Sequence, residues 1–120
     1  MAWGTLIAAG VFACGFASGQ AFAGSSKQFS GVASFYDKDY QGKTASGSRY
    51  DSNKMTCAHR TLPFGTRLSV TDPRSHRVVT VVVNDRGPFV KGRVLDLSYS
   101  AAQALRMTGR GLMTVTAAVQ

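Results

Sequence analysis

The stretch RVVTVVVN, from Arg77 to Asn84, runs straight into Asp85-Arg86-Gly87-Pro88. Five valines and Thr80 are stiff at χ1 and favour an extended, pleated backbone. This is the strongest strand signal in the chain. Gly87 and Pro88 then punctuate it and send the backbone into a turn. An acidic side chain, Asp85, therefore stands where a rigid strand gives way.

Outward from this strand, the pattern repeats on a smaller scale. RLSVT (67–71) predicts a preceding strand, with Asp72-Pro73-Arg74-Ser75-His76 as a hairpin turn between the two. SGVASFY (30–36) predicts the first strand and LMTVTAAV (112–119) the last, both by alternation. Val94 to Leu97 reads as a short buried strand. Met55 to His59 reads as a short strand or a turn, and TLPFGT (61–66) as a turn. Ser98 to Met107 is the one good helix candidate. Ser98 or Ser100 can supply the N-cap, Ala101, Ala102, Ala104 and Leu105 are good formers, and Gly109 is placed to end it. Asp37 to Ser52 (DKDYQGKTASGSRYDS) is a long polar loop, and such a loop inside a compact domain is usually functional. Several short strands with a short helix or two predict a mainly β domain closed into a small barrel, because closure removes exposed edges.

The ends of the chain and its charge set the compartment. Residues 1–23 hold no Lys, Arg, Asp or Glu, and Ala21-Phe22-Ala23 follows an apolar run from Leu6 to Ala17. That is the pattern of a secretory signal peptide. The division expected is a signal over 1–23, a linker over 24–29 and one domain over 30–120. The alternative is an N-terminal segment retained as a membrane anchor. Val11-Phe12-Ala13-Cys14 loosely resembles a lipobox, which would make Cys14 a lipidation site. Beyond the signal Cys57 stands alone, so the mature domain has no internal disulfide to form. Export to the periplasm or cell envelope is expected, as a monomer.

Fourteen Lys and Arg stand against six acids, a net charge of +8. A basic exported domain is drawn to polyanions such as envelope phosphates and carboxylated peptidoglycan. Nucleic acid is a poor fit, since basic and aromatic residues interleave sparsely. Only two histidines, His59 and His76, are present, with no ligand spacing around them, so neither metal nor cofactor is expected. All six acids are Asp (37, 39, 51, 72, 85 and 96), with no Glu in the chain. Any carboxylate chemistry must use one of them.

Asp85 is the first choice as a general acid, against the alternative that it caps the turn or pairs with Arg86. His59 can hydrogen-bond a catalytic carboxylate or a sugar hydroxyl, or serve only the structure. Asp51 ends the polar loop eight residues before His59. Asp96, between Leu95 and Leu97, is expected to be buried and paired to a loop amide or an arginine. Tyr36, Tyr40 and Tyr50 flank the loop and suit stacking on sugar faces or packing.

The ordered blocks GVASFY (31–36), GKTASG (42–47), TCAHRTLPFGT (56–66), VVVNDRGPF (81–89), GRVLDLS (92–98) and AAQAL (101–105) resemble the RlpA-like family. The resemblance implies a six-stranded double-psi β-barrel with one or two short helices. It also implies endolytic cleavage of the MurNAc–GlcNAc β-1,4 bond of peptidoglycan glycan strands, leaving a 1,6-anhydro end. The family's functional positions fall on Ser48, Asp51, His59 and Asp85. Asp85, Asp51 and His59 match in type and are carried over as catalytic. Tyr36, Thr44, Ser48, Arg86 and Asp96 are expected on the substrate-binding side. Active members typically read T-A-x-G-E where this chain reads Thr44-Ala45-Ser46-Gly47-Ser48, so a serine stands in the place of the Glu. A non-cleaving, expansin-like barrel that binds peptidoglycan is the alternative reading.

Overall fold

The computed structural model describes residues 27–120. The segment expected as a signal, with Cys14, lies outside the described residues. Six strands form: β1 (Gln28–Phe35), β2 (Thr56–Ala58), β3 (Arg67–Thr71), β4 (Val78–Asp85), β5 (Arg93–Leu97) and β6 (Met113–Val119). One helix, α1 (Tyr99–Ala104), lies between β5 and β6. β1 begins two residues ahead of the linker boundary set at 29, because Gln28 and Phe29 pair with Ala118 and Ala117 of β6. Among the described residues no helix is long and apolar enough to cross a membrane.

The strands close into a barrel in the order β1-β5-β2-β4-β3-β6. β1 runs parallel to β5 and β2 parallel to β4, while the remaining neighbours are antiparallel. Alternation decides what faces inward. Val79, Val81 and Val83 of β4 are buried, as are Leu68 and Val70 of β3, Leu95 and Leu97 of β5, and Met113, Val115 and Ala117 of β6. Gly31 sits where β1 crosses β5, and a Cβ there would come 2.6 Å from Val94 Cγ1.

α1 packs Ala101, Ala102 and Leu105 onto this core. Ser98 is its N-cap and is fully buried, with Oγ accepting from the Ala101 and Thr56 amides. The helix is shorter than the 98–107 expected and does not run on to Gly109. Arg106 takes the left-handed conformation instead, at φ 58°. Its amide donates to Gln103 O, and the Met107 amide donates to Ala102 O. That is a Schellman end, normally built on glycine. Burial of Met107, the residue after Arg106, pins the chain there.

Candidate active site

Register lines up one row of residues across four strands. Ser34 on β1 pairs with Asp96 on β5, Asp96 with Ala58 on β2, and Ala58 with Asp85 on β4. Directly paired residues share a sheet face. The valine alternation of β4 would turn Asp85 inward, but a bulge between Cys57 and Ala58 shifts the register and sets Asp85 in the row. Bulges re-aim side chains in this way beside functional sites. Small Ala58 separates two half-buried carboxylates.

Asp85 Oδ1 accepts from the Ala45 amide at 2.7 Å and the Arg86 amide at 2.8 Å. Its Oδ2 accepts from the Tyr36 hydroxyl. Burial, reinforced by the Asp85 carboxylate, raises the Tyr36 phenol well above its ordinary range, so this hydroxyl keeps its proton. A hydroxyl can donate to a carboxylate and accept from a carboxylic acid. Tyr36 therefore suits Asp85 in either protonation state.

Arg86 does not pair with Asp85. Its guanidinium donates to the carbonyls of His59 at 3.1 Å and Leu62 at 2.7 Å, and lies 4.1 Å over the Phe64 ring. Arg86 fixes the 59–64 segment rather than reaching into the row.

The long loop supplies the third support. Lys43 bridges Arg49, and the Thr44 amide donates to Ser48 O at 2.8 Å. The tip of this small hairpin leans on the end of β4: the Ser46 amide reaches Asn84 O, and the Ala45 amide reaches Asp85. Ser48 joins a cluster of hydroxyls, 3.1 Å from Thr44 Oγ1 and 3.2 Å from Ser46 Oγ. The serine at the family's Glu position is therefore satisfied locally, one residue triplet from the amide that holds Asp85.

Tyr36 also stacks on Tyr50, with ring centroids 4.6 Å apart, and Tyr40 stands edge-on to Tyr50 and tilted against Tyr36. The Tyr50 hydroxyl accepts from the Tyr99 amide, which ties the trio to α1. Asp96 is held neither by a loop amide nor by an arginine: its Oδ1 accepts from the Ser34 hydroxyl.

Asp51 and His59 line two other clefts. Asp51 accepts from the Asn53 amide at 2.9 Å and is exposed in a polar cleft of about 520 Å³ with Lys38, Tyr40, Arg49 and Lys54. The His59 amide donates to Asp85 O, but its ring packs edge-on against Phe29 and borders a cleft of about 630 Å³ with Arg60, Leu62 and Val94. Its Nδ1 accepts from the Thr61 and Leu62 amides, both at 3.1 Å. Burial and the cations Arg60 and Arg86 lower its pKa, so the ring is held neutral. Cys57, on the inner face of β2, has its thiol pushed up to about 12 by burial and the nearby Asp96 charge. Among the described residues no cluster of ligands for a metal ion is present.

Sequence reading missed the Ala45 amide and the Ser34 hydroxyl. A backbone donor leaves no mark in residue type, and Ser34 shows its role only through register.

The family described as lytic transglycolase matches residues 28–117. The chain is 52% identical over 90 residues to a probable endolytic peptidoglycan transglycosylase RlpA of Nostoc, covering 72% of this chain and 24% of that one. It is 52% identical over 83 residues to the endolytic peptidoglycan transglycosylase RlpA of Pasteurella multocida, covering 68% and 28%. The chain thus spans under a third of these relatives' length. Among solved structures, the Streptomyces papain inhibitor shares the fold at TM-score 0.64 and 23% identity, covering 78% of this chain and 96% of that one. An apo expansin of Clavibacter michiganensis superposes at TM-score 0.60 and 25% identity, covering 78% and 50%. Matched blocks, barrel closure and the Asp85 row converge, and the chain belongs to the RlpA-like family of double-psi β-barrels.

Proposed function

We propose that this domain is an endolytic peptidoglycan lytic transglycosylase of the cell envelope, cleaving MurNAc–GlcNAc β-1,4 bonds during wall remodelling. The observation that carries this reading is the Asp85 carboxylate, fixed at the end of β4 by donors from three chain segments. Pre-organised groups of this kind are what general acid–base catalysis requires. Asp85 gives its proton to the glycosidic oxygen as the C1–O bond breaks. It then takes the proton of the MurNAc C6 hydroxyl as that oxygen bonds to C1. The acid is regenerated, no water is consumed, and a 1,6-anhydro end remains. Tyr36 holds Oδ2 through both transfers. Tyr40, the exposed member of the tyrosine trio, offers an apolar surface to the sugars, and the basic surface favours an anionic wall. The names borne by the relatives support the same reading.

A second reading has its own observation. Ser48 closes into a hydroxyl cluster where active members typically carry Glu, and the expansin likeness fits a barrel that binds glycan without cutting it. The two part in one experiment. Protein is incubated with intact and with stem-peptide-free sacculi, and anhydro-MurNAc products are sought by mass spectrometry. Product is expected, and Asp85→Asn lowers its rate by about 10²–10⁴-fold. Binding with no product from either substrate would leave the non-cleaving reading. A large gain in rate on Ser48→Glu would mark the natural protein as a weakened enzyme.

A further inference from the structure

The turn after Asp85 carries an aromatic ring that the mechanism above does not use. Phe89 is 78% exposed, more than any other large hydrophobic side chain of the described residues. A single exposed apolar residue is ordinary on a protein surface. The surroundings of this one are not. Gly87 is buried at φ 126°, a conformation that side chains rarely adopt. A Cβ built there would stand 3.6 Å from Asp96 Oδ2 and 3.7 Å from the Phe89 ring. The Phe89 ring and the Asp96 carboxylate oxygen thus lie within contact distance of the same position on the turn. Asp96 Oδ1 is taken by Ser34, while among the described residues no donor reaches Oδ2. An acceptor without a partner and an uncovered ring therefore meet at one point, on the turn that carries Asp85.

We propose that Phe89, Gly87 and Asp96 form a sugar-binding subsite beside the catalytic carboxylate. It takes one pyranose ring of the glycan strand, with the ring's C–H face on Phe89 and a hydroxyl donating to Asp96 Oδ2. An apolar face beside an outward hydroxyl is the surface that an aromatic–carboxylate pair matches. Gly87, at φ 126°, gives the turn the path that brings the ring and the carboxylate to one place. This rests on the glycan reading above.

Binding of stem-peptide-free glycan strands is measured in the Asp85→Asn background, so that no cleavage intervenes. Phe89→Ala is expected to weaken binding by about tenfold, with Phe89→Trp restoring it. Asp96→Asn is expected to weaken it several-fold. Phe89 lies outside the core, so its variants keep the parent's unfolding midpoint, which calorimetry verifies. Phe89→Ala binding as tightly as the parent would overturn the subsite and leave the glycan reading standing. If the Asp85→Asn parent binds no glycan, both fall. If it binds through Phe89 and the wild type yields no anhydro product, cleavage falls and the subsite stands.

Discussion

β4 lies between two aspartates that are served in opposite ways. Ahead of it, in the hairpin from β3, Asp72 accepts from the Arg74 amide at 2.9 Å and the Ser75 hydroxyl at 2.8 Å. Both hydrogen-bond donors lie within three residues, and the Arg110 charge acts on it only secondarily. At its far end Asp85 accepts from Tyr36 and Ala45, 49 and 40 residues away in sequence, as well as from Arg86. The local carboxylate closes a turn and is buried at 3% exposure. The distant one is assembled by the whole barrel and faces the loop. Local service closes a turn; service gathered from afar holds the Asp85 carboxylate in one pose.

The sharpest way to break this contrast is at Tyr36. Tyr36→Phe removes a hydrogen bond to a charged group while keeping the stack on Tyr50. A bond of that kind contributes about 1.5–3 kcal/mol. The rate of anhydro product release should fall by about 10–100-fold, with the unfolding midpoint little changed. A variant with full activity would show that Asp85 needs no distant support.

Acid separates the two ends further. Neutral His59, beside the Asp85 end, accepts two amides through Nδ1, and its folded pKa lies below its unfolded value of about 6.5. Its contribution is complete above about 6.5 and is lost as pH falls from there through the folded value. The Arg74 amide and Ser75 hydroxyl lower the Asp72 pKa in the same sense. That contribution is complete above about 3.9 and lost as pH falls below it. Thermal unfolding should therefore weaken in two windows. His59→Gln should flatten the upper one and Asp72→Asn the lower. Loss confined to a single window in the wild type would contradict the assignment.

The smallest effect is expected at His76, which closes the Asp72 hairpin at φ 67°. A left-handed residue with a Cβ costs about 1–2 kcal/mol, and glycine returns part of that through a freer unfolded chain. His76→Gly should raise stability by less than about 1 kcal/mol in urea unfolding, with activity unchanged. A marked loss would mean that the imidazole holds the turn.

The same division governs how much could be read from sequence. The β4 valines, the Asp72 turn and the Ser98 cap carry their signals within a few residues, and each lies where expected. α1 stops early because Arg106, not Gly109, takes the left-handed position, and burial of Met107 decides that from outside the local pattern. β1 starts early because β6 lies alongside it. At the candidate site, the place of Asp85 at the end of a strand was legible, while its choice over a turn cap came from the resemblance of the surrounding blocks. The turning away of Arg86, the Ser34 bond to Asp96 and the Ala45 donor depend on register between strands far apart in sequence. A bulge of one residue sets that register, and composition does not show it.

Cys57 has a practical consequence. With a thiol raised to about 12 and no exposed surface, almost none of it is thiolate near neutral pH. Oxidants and disulfide partners find nothing to attack while the barrel is shut. Once β2 leaves its neighbours, the sulfur becomes an ordinary reactive group. With Cys14 replaced by serine, a thiol-reactive dye would thus time the opening of the barrel at β2. Denaturation that goes unseen by activity would be recorded as a covalent label.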